Sequence, residues 1–316
     1  MSLHVTQTTG GNPTATLASG RQVEIAWGEQ CAWIVEVGGG LRAYSARGRE
    51  VLDGYPAEEM CSSARGQCLV PWPNRIRDGS YEFGGLRQQL PLTEPEQHNA
   101  IHGLARWANW TIADQAVDSV EMGYLLHPQP GYPHALRLAV VYRLTADGLT
   151  VRTTATNVGA SACPYGAGAH PYLTVGTPTV DSIVLQAPGR RRLTSDERGI
   201  PTGAEPVDAS EYDFRAPRPI GKTTLDTAFT DLGRDADGRA RVHLAAPDGQ
   251  IAATLWLDER YRYLMLFTGD PLPDVNRRSL GIEPMTCAPN AFQNGEGLVT
   301  LKPGESFAAA SGIEPA

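Results

Sequence analysis

The sequence predicts an all-β fold: a large antiparallel β sandwich built as a single domain over residues 1–316. Three observations lead there. Short runs of alternating apolar and polar residues, separated by turn residues, dominate the chain. Its 34 glycines and 24 prolines leave little room for long helices. No fixed-period repeat and no break in composition divides it.

Taken in order, Gln22–Trp27 and Cys31–Val37 flank Gly28-Glu29-Gln30, and Gly38-Gly39-Gly40 follows, which reads as a hairpin and then a turn. Ser80–Phe83 lies between Asp78-Gly79 and Gly84-Gly85, a short strand with a turn at each end. The clearest pair is Leu136–Leu144 and Leu149–Asn157, joined through Asp147-Gly148. Leu136, Leu138, Val140, Tyr142 and Leu144 share one face of the first, and Leu149, Val151, Thr153 and Ala155 share one face of the second. One apolar and one mixed face suit an antiparallel sheet laid on a core. Pro188 to Pro219 reads as a long, polar, turn-rich excursion. Its basic run Arg190-Arg191-Arg192 reads as a solvated loop face, with an anion site as the alternative. Arg241–Leu244 and Gln250–Leu257 flank Pro247-Asp248-Gly249 as a further hairpin, and Tyr263–Thr268 reads as a buried strand.

Composition excludes several function classes. A net charge of −8 supplies no basic field for nucleic acid or anionic lipid. No apolar run is long enough to span a bilayer, and Met1–Gly20 lacks the apolar segment of a secretory signal. Five cysteines, odd in number and without CxxC spacing, argue against a disulfide framework or a zinc knuckle and suit a reducing, cytoplasmic setting. The absence of HxH and HExxH spacing argues against a metal. The P-loop and G-x-S-x-G patterns are missing as well. The Gly166-Ala167-Gly168 fragment lacks the third glycine and the helix of a dinucleotide site, so no cofactor is expected.

Five stretches place functional side chains on tight backbone. In Gly281–Gly295 a single carboxylate, Glu283, precedes Pro284, at the end of a rigid element and facing an irregular loop. It reads either as a proton-transfer base or as a solvated strand-end glutamate. In Val70–Gly79 two prolines fix the approach to Asn74 and Arg75, offering a rigid guanidinium fork or a plain surface arginine. In Asn99–Trp107, His102 precedes Gly103, which permits close approach of backbone or ligand; a core histidine is the alternative. Trp107 and Trp110 read as core residues or as a stacking surface for a ligand. In Tyr165–Tyr172 small residues clear space before His170. In Leu225–Leu232, Asp226 or Asp231 accepts hydrogen bonds from hydroxyls or caps a turn.

Together these stretches resemble the aldose 1-epimerase (galactose mutarotase) family. The matching pieces are Asn74-Arg75-Ile76, Asn99-Ala100-Ile101-His102-Gly103, His170-Pro171-Tyr172, Asp226-Thr227-Ala228-Phe229 and Glu283-Pro284-Met285-Thr286, in the family's order over roughly positions 70 to 295. The resemblance implies a large β-supersandwich and interconversion of the α and β anomers of a free aldose. It implies Glu283 as base, His170 as acid, and Arg75, His102 and Asp226, with Asn74 beside them, as sugar-binding groups. Val70-Pro71-Trp72-Pro73 ahead of Asn74 departs from the Gly-Arg approach associated with galactose mutarotases and leaves the sugar open. One carboxylate and one imidazole are the minimum set for taking the C1 hydroxyl proton and delivering a proton to the ring oxygen. These groups are expected to converge on one cleft. Two alternatives stand: an epimerase for an anionic sugar (a hexose 6-phosphate or sulfo-sugar) using Arg106 or Arg190–Arg192, and a non-catalytic carbohydrate-binding protein on the same fold.

Overall fold

The computed structural model describes residues 16–316. Most of the segment on which the absence of a secretory signal was read therefore lies outside the described residues. Two extended antiparallel sheets dominate. The larger has nine strands in the order Thr111–Gln115, Ser119–Leu126, Leu136–Thr145, Gly148–Asn157, Ser306–Pro315, Ala252–Leu257, Ala240–Ala245, Val184–Gln186 and Arg218–Pro219. The second runs Pro201–Pro206, Gly189–Ser195, Asp226–Leu232, Tyr263–Phe267, Leu280–Met285, Gly168–Ala169 and Cys68–Leu69, with Tyr172–Leu173 also paired to Leu280–Met285. A four-stranded meander of Gln22–Trp27, Gln30–Val35, Leu41–Ala46 and Arg49–Glu50 accompanies them. Ala291–Asn294 is the sole α-helix among the described residues.

Alternation in sequence becomes burial on one face. Leu136, Leu138, Val140, Tyr142 and Leu144 are all buried, and across the register Leu149 faces Leu144 while Ala155 faces Leu138. The second sheet is apolar on both faces. Phe229, Leu264, Leu266 and Ile282 enter the main core, whereas Leu193, Ala228, Met265 and Met285 form a smaller cluster on the opposite face. Covering both faces is why Tyr263–Phe267 reads as a continuous apolar run instead of an alternating one. One core cluster links Val23 to Ile313. No helix among the described residues is long and apolar enough to cross a membrane. The five cysteines are free thiols, and four of them are buried.

Three expectations need correction. Pro188–Pro219 is not a structureless excursion: Gly189–Ser195 and Pro201–Pro206 form a hairpin that extends the second sheet. Arg190–Arg192 therefore lies on a strand. The basic run masks the strand because it interrupts the apolar alternation: Leu193 is buried, and Arg192 lies over the Tyr212 ring at 4.1 Å and pairs with Glu205 at 2.5 Å. The second strand of the first hairpin ends at Val35, before the glycines. Finally, Glu283 stands inside Leu280–Met285, not at its end, with Pro284 also within the strand opposite Leu264.

Candidate active site

The second sheet builds the floor of a cleft through its register. Glu283 lies opposite Met265, and Asp226 lies opposite Phe267 on the next strand. Directly paired residues of an antiparallel ladder share a face, so Asp226, Met265, Phe267 and Glu283 all point to one side. On the other edge of Leu280–Met285, Tyr172 pairs with Gly281 and Gly168 with Met285, which sets His170 opposite Glu283. There the ladder opens, and only the Ile282 N–H donating to the Pro171 carbonyl at 3.0 Å spans the gap. His170 Nε2 and Glu283 Oε1 stand 3.3 Å apart. The His170 ring stacks on Tyr172 at 4.9 Å and meets His102 edge-on at 5.3 Å.

A small ribbon supplies the wall. Arg75–Arg77 pairs with Asn99–Ile101, and the chain enters the first strand and leaves the second at left-handed residues, Asn74 (φ 56°) and His102 (φ 62°). The two clasp each other: the His102 N–H donates to the Asn74 carbonyl at 2.9 Å, and the Asn74 N–H donates to His102 Nδ1 at 3.2 Å. With Nδ1 an acceptor, the proton of neutral His102 sits on Nε2, a donor for ligand. Gly103 is required by this turn, since a Cβ there would lie 2.1 Å from the Val70 carbonyl oxygen. The close approach that the glycine permits is thus to backbone.

The cleft, of about 640 Å³, is lined by Asn74, Arg75, His102, His170, Asp226 and Glu283, the six residues singled out from sequence. Asp231 does not line it. Of the two tryptophans, Trp110 is core and Trp107, 47% exposed, lines the cleft. Gly166 and Gly168 make room for Cys287 and Pro73, not for the imidazole. The chemistry-bearing pair is closed off from solvent, with Glu283 2% and His170 5% exposed. Burial pushes the Glu283 carboxyl up, to about 8, and the nearby Asp226 carboxylate adds to this against the opposing Arg75. Burial pulls His170 and His102 well below the usual imidazole range, and the Arg106 cation acts on both in the same direction. Asp226 is exposed to the cleft, yet the protein around it raises its carboxyl, against the pull of Arg75. Glu283 Oε2 and His170 Nδ1 are buried without a hydrogen-bond partner among the described residues.

Several cleft residues escaped the sequence reading. Glu94 clamps Arg75 in a fork, Nε to Oε2 at 2.8 Å and Nη2 to Oε1 at 2.9 Å, and Asn99 holds Glu94 Oε2 at 3.0 Å. Gly199 (φ 71°) presses on the same guanidinium, where a Cβ would lie 2.5 Å from Nη1. Nothing local marks Glu94 or Gly199, because each meets Arg75 only through folding. Tyr172 and the Met265/Phe267 pair were legible as residues two positions from His170 or from each other on a strand. Replacing Glu94 with glutamine is expected to free the Arg75 fork, raise KM and lower kcat/KM on the order of 10- to 10²-fold, the scale of a misplaced positioning group. Steady-state kinetics against a Glu94→Asp control check it; an unchanged KM removes Glu94 from substrate positioning.

His102, His170 and Glu283 also offer three ligand-type atoms within 4.8 Å of one another. Two features oppose a resident cation. No carboxylate or carbonyl orients His170 Nδ1, and arginines act electrostatically on all three groups.

Comparisons with known proteins bear on the family and the fold. The family model described as aldose 1-epimerase matches residues 21–314. The uncharacterised Escherichia coli (strain K12) protein YihR is 35% identical over 288 residues, covering 91% of both chains. YphB of the same organism is 29% identical over 249 residues, 75% of this chain and 79% of that one. Among solved structures, a GalM/aldose epimerase homologue from C. elegans superposes with a TM-score of 0.83 at 17% identity, covering 94% of this chain and 98% of that one. A putative aldose 1-epimerase from E. coli K12 superposes with a TM-score of 0.81 at 21% identity, covering 94% and 99%. The galactose 1-epimerase from Lactobacillus acidophilus NCFM gives 0.78 at 18% identity, covering 93% and 94%. With its galactose mutarotase-like all-β architecture and a family match across nearly the whole described chain, this protein belongs to the aldose 1-epimerase family.

Proposed function

We propose that the protein is a single-domain mutarotase that interconverts the α and β anomers of a free aldose by acid–base ring opening and closing. The observation that carries the reading is the buried Glu283–His170 pair, face to face at 3.3 Å on the cleft floor. Glu283 takes the C1 hydroxyl proton, the C1–O5 bond breaks, and His170 delivers its proton to O5. Rotation about C1–C2 presents the other carbonyl face, and the reverse transfers close the ring. Arg75, His102 through Nε2–H, Asp226 and Asn74 hold the ring hydroxyls and orient C1 and O5. Five free thiols support a reducing, cytoplasmic setting for this chemistry.

The pair needs one proton in total. Burial favours protonated Glu283 and neutral His170, which is also the pair's state when the ring is open. The cleft thus stabilises the protonation state of the open-chain intermediate, and the sugar's polar groups help return the proton to His170 before opening. A non-catalytic lectin has no use for a desolvated carboxyl facing an imidazole, so the enzyme reading is preferred.

Anomer exchange of freshly dissolved aldoses, followed by polarimetry or NMR, tests the reading. The singly protonated pair is the working form, so kcat/KM is expected to hold from mildly acidic pH to neutrality. It then falls as the last proton leaves through the raised carboxyl, around pH 8. A protein that binds aldoses at every pH without accelerating their mutarotation belongs to the binding class instead.

A further inference from the structure

The cationic groups around the cleft differ in one respect. Arg75 is neutralised by Glu94 at 2.8 Å, Arg198 by Asp78 at 2.9 Å, and Arg65 behind Tyr172 by Asp274 at 3.3 Å. Arg77, in the same ribbon, pairs with Asp196 at 2.5 Å. Arg106 lines the cleft half-buried, and among the described residues its guanidinium forms no ion pair and no hydrogen bond; only the Trp107 ring, at 5.5 Å, stands beneath it. A partly desolvated guanidinium with five donors and no acceptor is costly unless a ligand supplies the anion. Resting on the epimerase reading above, we infer that Arg106 is an anion subsite, and that the preferred aldose carries a negatively charged substituent on the carbon attached to C5, beside the ring oxygen.

The position follows from the arrangement of the cleft. Arg106 lines the cleft at the end of the short segment that begins at His102, whose ring meets that of His170 at 5.3 Å, and its charge acts on both imidazoles; Arg75 acts on His102 and on Glu283. His170 is the group that serves O5. The substituent next to O5 therefore lies on the Arg106 side, away from the C1 hydroxyl at Glu283. Glu283, His102 and Tyr172 lie against His170, and the charges of Arg65 and Arg106 act on it from farther off. An anion on Arg106 removes one of the two cations that oppose imidazolium formation and so helps His170 take up its proton. The basic strand Arg190–Arg192 contributes nothing here, since it does not line the cleft.

The test compares D-glucose with D-glucuronate, D-glucose 6-phosphate and 6-deoxy-6-sulfo-D-glucose, reading anomer exchange by NMR and binding by calorimetry, for the wild type, Arg106→Gln and Arg106→Lys. At least one anionic sugar is expected to exceed glucose in kcat/KM by 10-fold or more, roughly the scale of one charge-assisted contact. Arg106→Gln is expected to erase that ratio through a raised KM for the anionic sugar, and Arg106→Lys to restore part of it. The three anions distinguish carboxylate, phosphate and sulfonate. Glucose exchange that equals or exceeds that of all three anionic sugars overturns the inference and leaves the epimerase reading standing. So does a ratio that survives in Arg106→Gln. Arg106-dependent binding of an anionic sugar with no exchange of any sugar upholds the subsite and overturns the epimerase reading.

Discussion

Glu283→Gln is expected to lower kcat for anomer exchange by at least about 10²-fold while leaving KM within a few-fold, because the amide keeps the size and one acceptor but cannot take the C1 hydroxyl proton. A second consequence separates loss of the base from disturbance of the fold. Burial raises the Glu283 carboxyl above its ordinary value, to about 8. A group raised on folding stabilises fully below its unfolded pKa, and that contribution is lost as pH rises through the folded value. The wild type therefore gives up stability between about pH 4.5 and 8 on account of this residue, and Glu283→Gln does not. Thermal melts at pH 5 and pH 8 are expected to show the variant gaining on the wild type at the higher pH. A variant that exchanges anomers at the wild-type rate takes Glu283 out of the mechanism.

His170→Asn has the other large effect. It removes the proton donor to O5, so kcat is expected to drop by about 10²-fold or more with a smaller change in sugar affinity. The shape of the pH profile is the sharper readout. In the wild type the rate falls above about pH 8, because the pair has then lost its one proton. In His170→Asn only an ionised Glu283 can act, with water as the acid, so the residual rate is expected to rise with pH through the same carboxyl. A residual rate that keeps the wild-type alkaline fall makes His170 a structural neighbour of Glu283 and not its partner. The stack on Tyr172 at 4.9 Å is the contact most at risk in this variant, and a circular dichroism spectrum with melting controls for it.

Hairpins separated by Asp-Gly and Pro-Asp-Gly turns announced the antiparallel sheet because alternation and turn chemistry are local properties of the chain. The basic hairpin at Gly189–Pro206 stayed hidden because three successive arginines interrupt its alternation: Leu193 is its buried apolar residue, and Arg192 packs on Tyr212. The site was legible as residue types on constrained backbone: Asn74 and Arg75 after two prolines, His102 before a glycine, His170 before a proline, Glu283 before another. The same motifs carried the family resemblance.

By itself, then, the sequence determined an all-β chain, its family, and six side chains that the fold brings to one cleft. Only the tertiary structure decided how they meet. Register across the gap between Tyr172–Gly281 and Gly168–Met285 sets His170 against Glu283. A fork from Glu94 neutralises Arg75, while Arg106 forms no ion pair among the described residues and feels Glu94 only at a distance. The physical reason is that propensity, turns and alternation act over a few neighbouring residues. Charge pairing and desolvation instead depend on which distant strands lie side by side, and that is settled by packing the whole core.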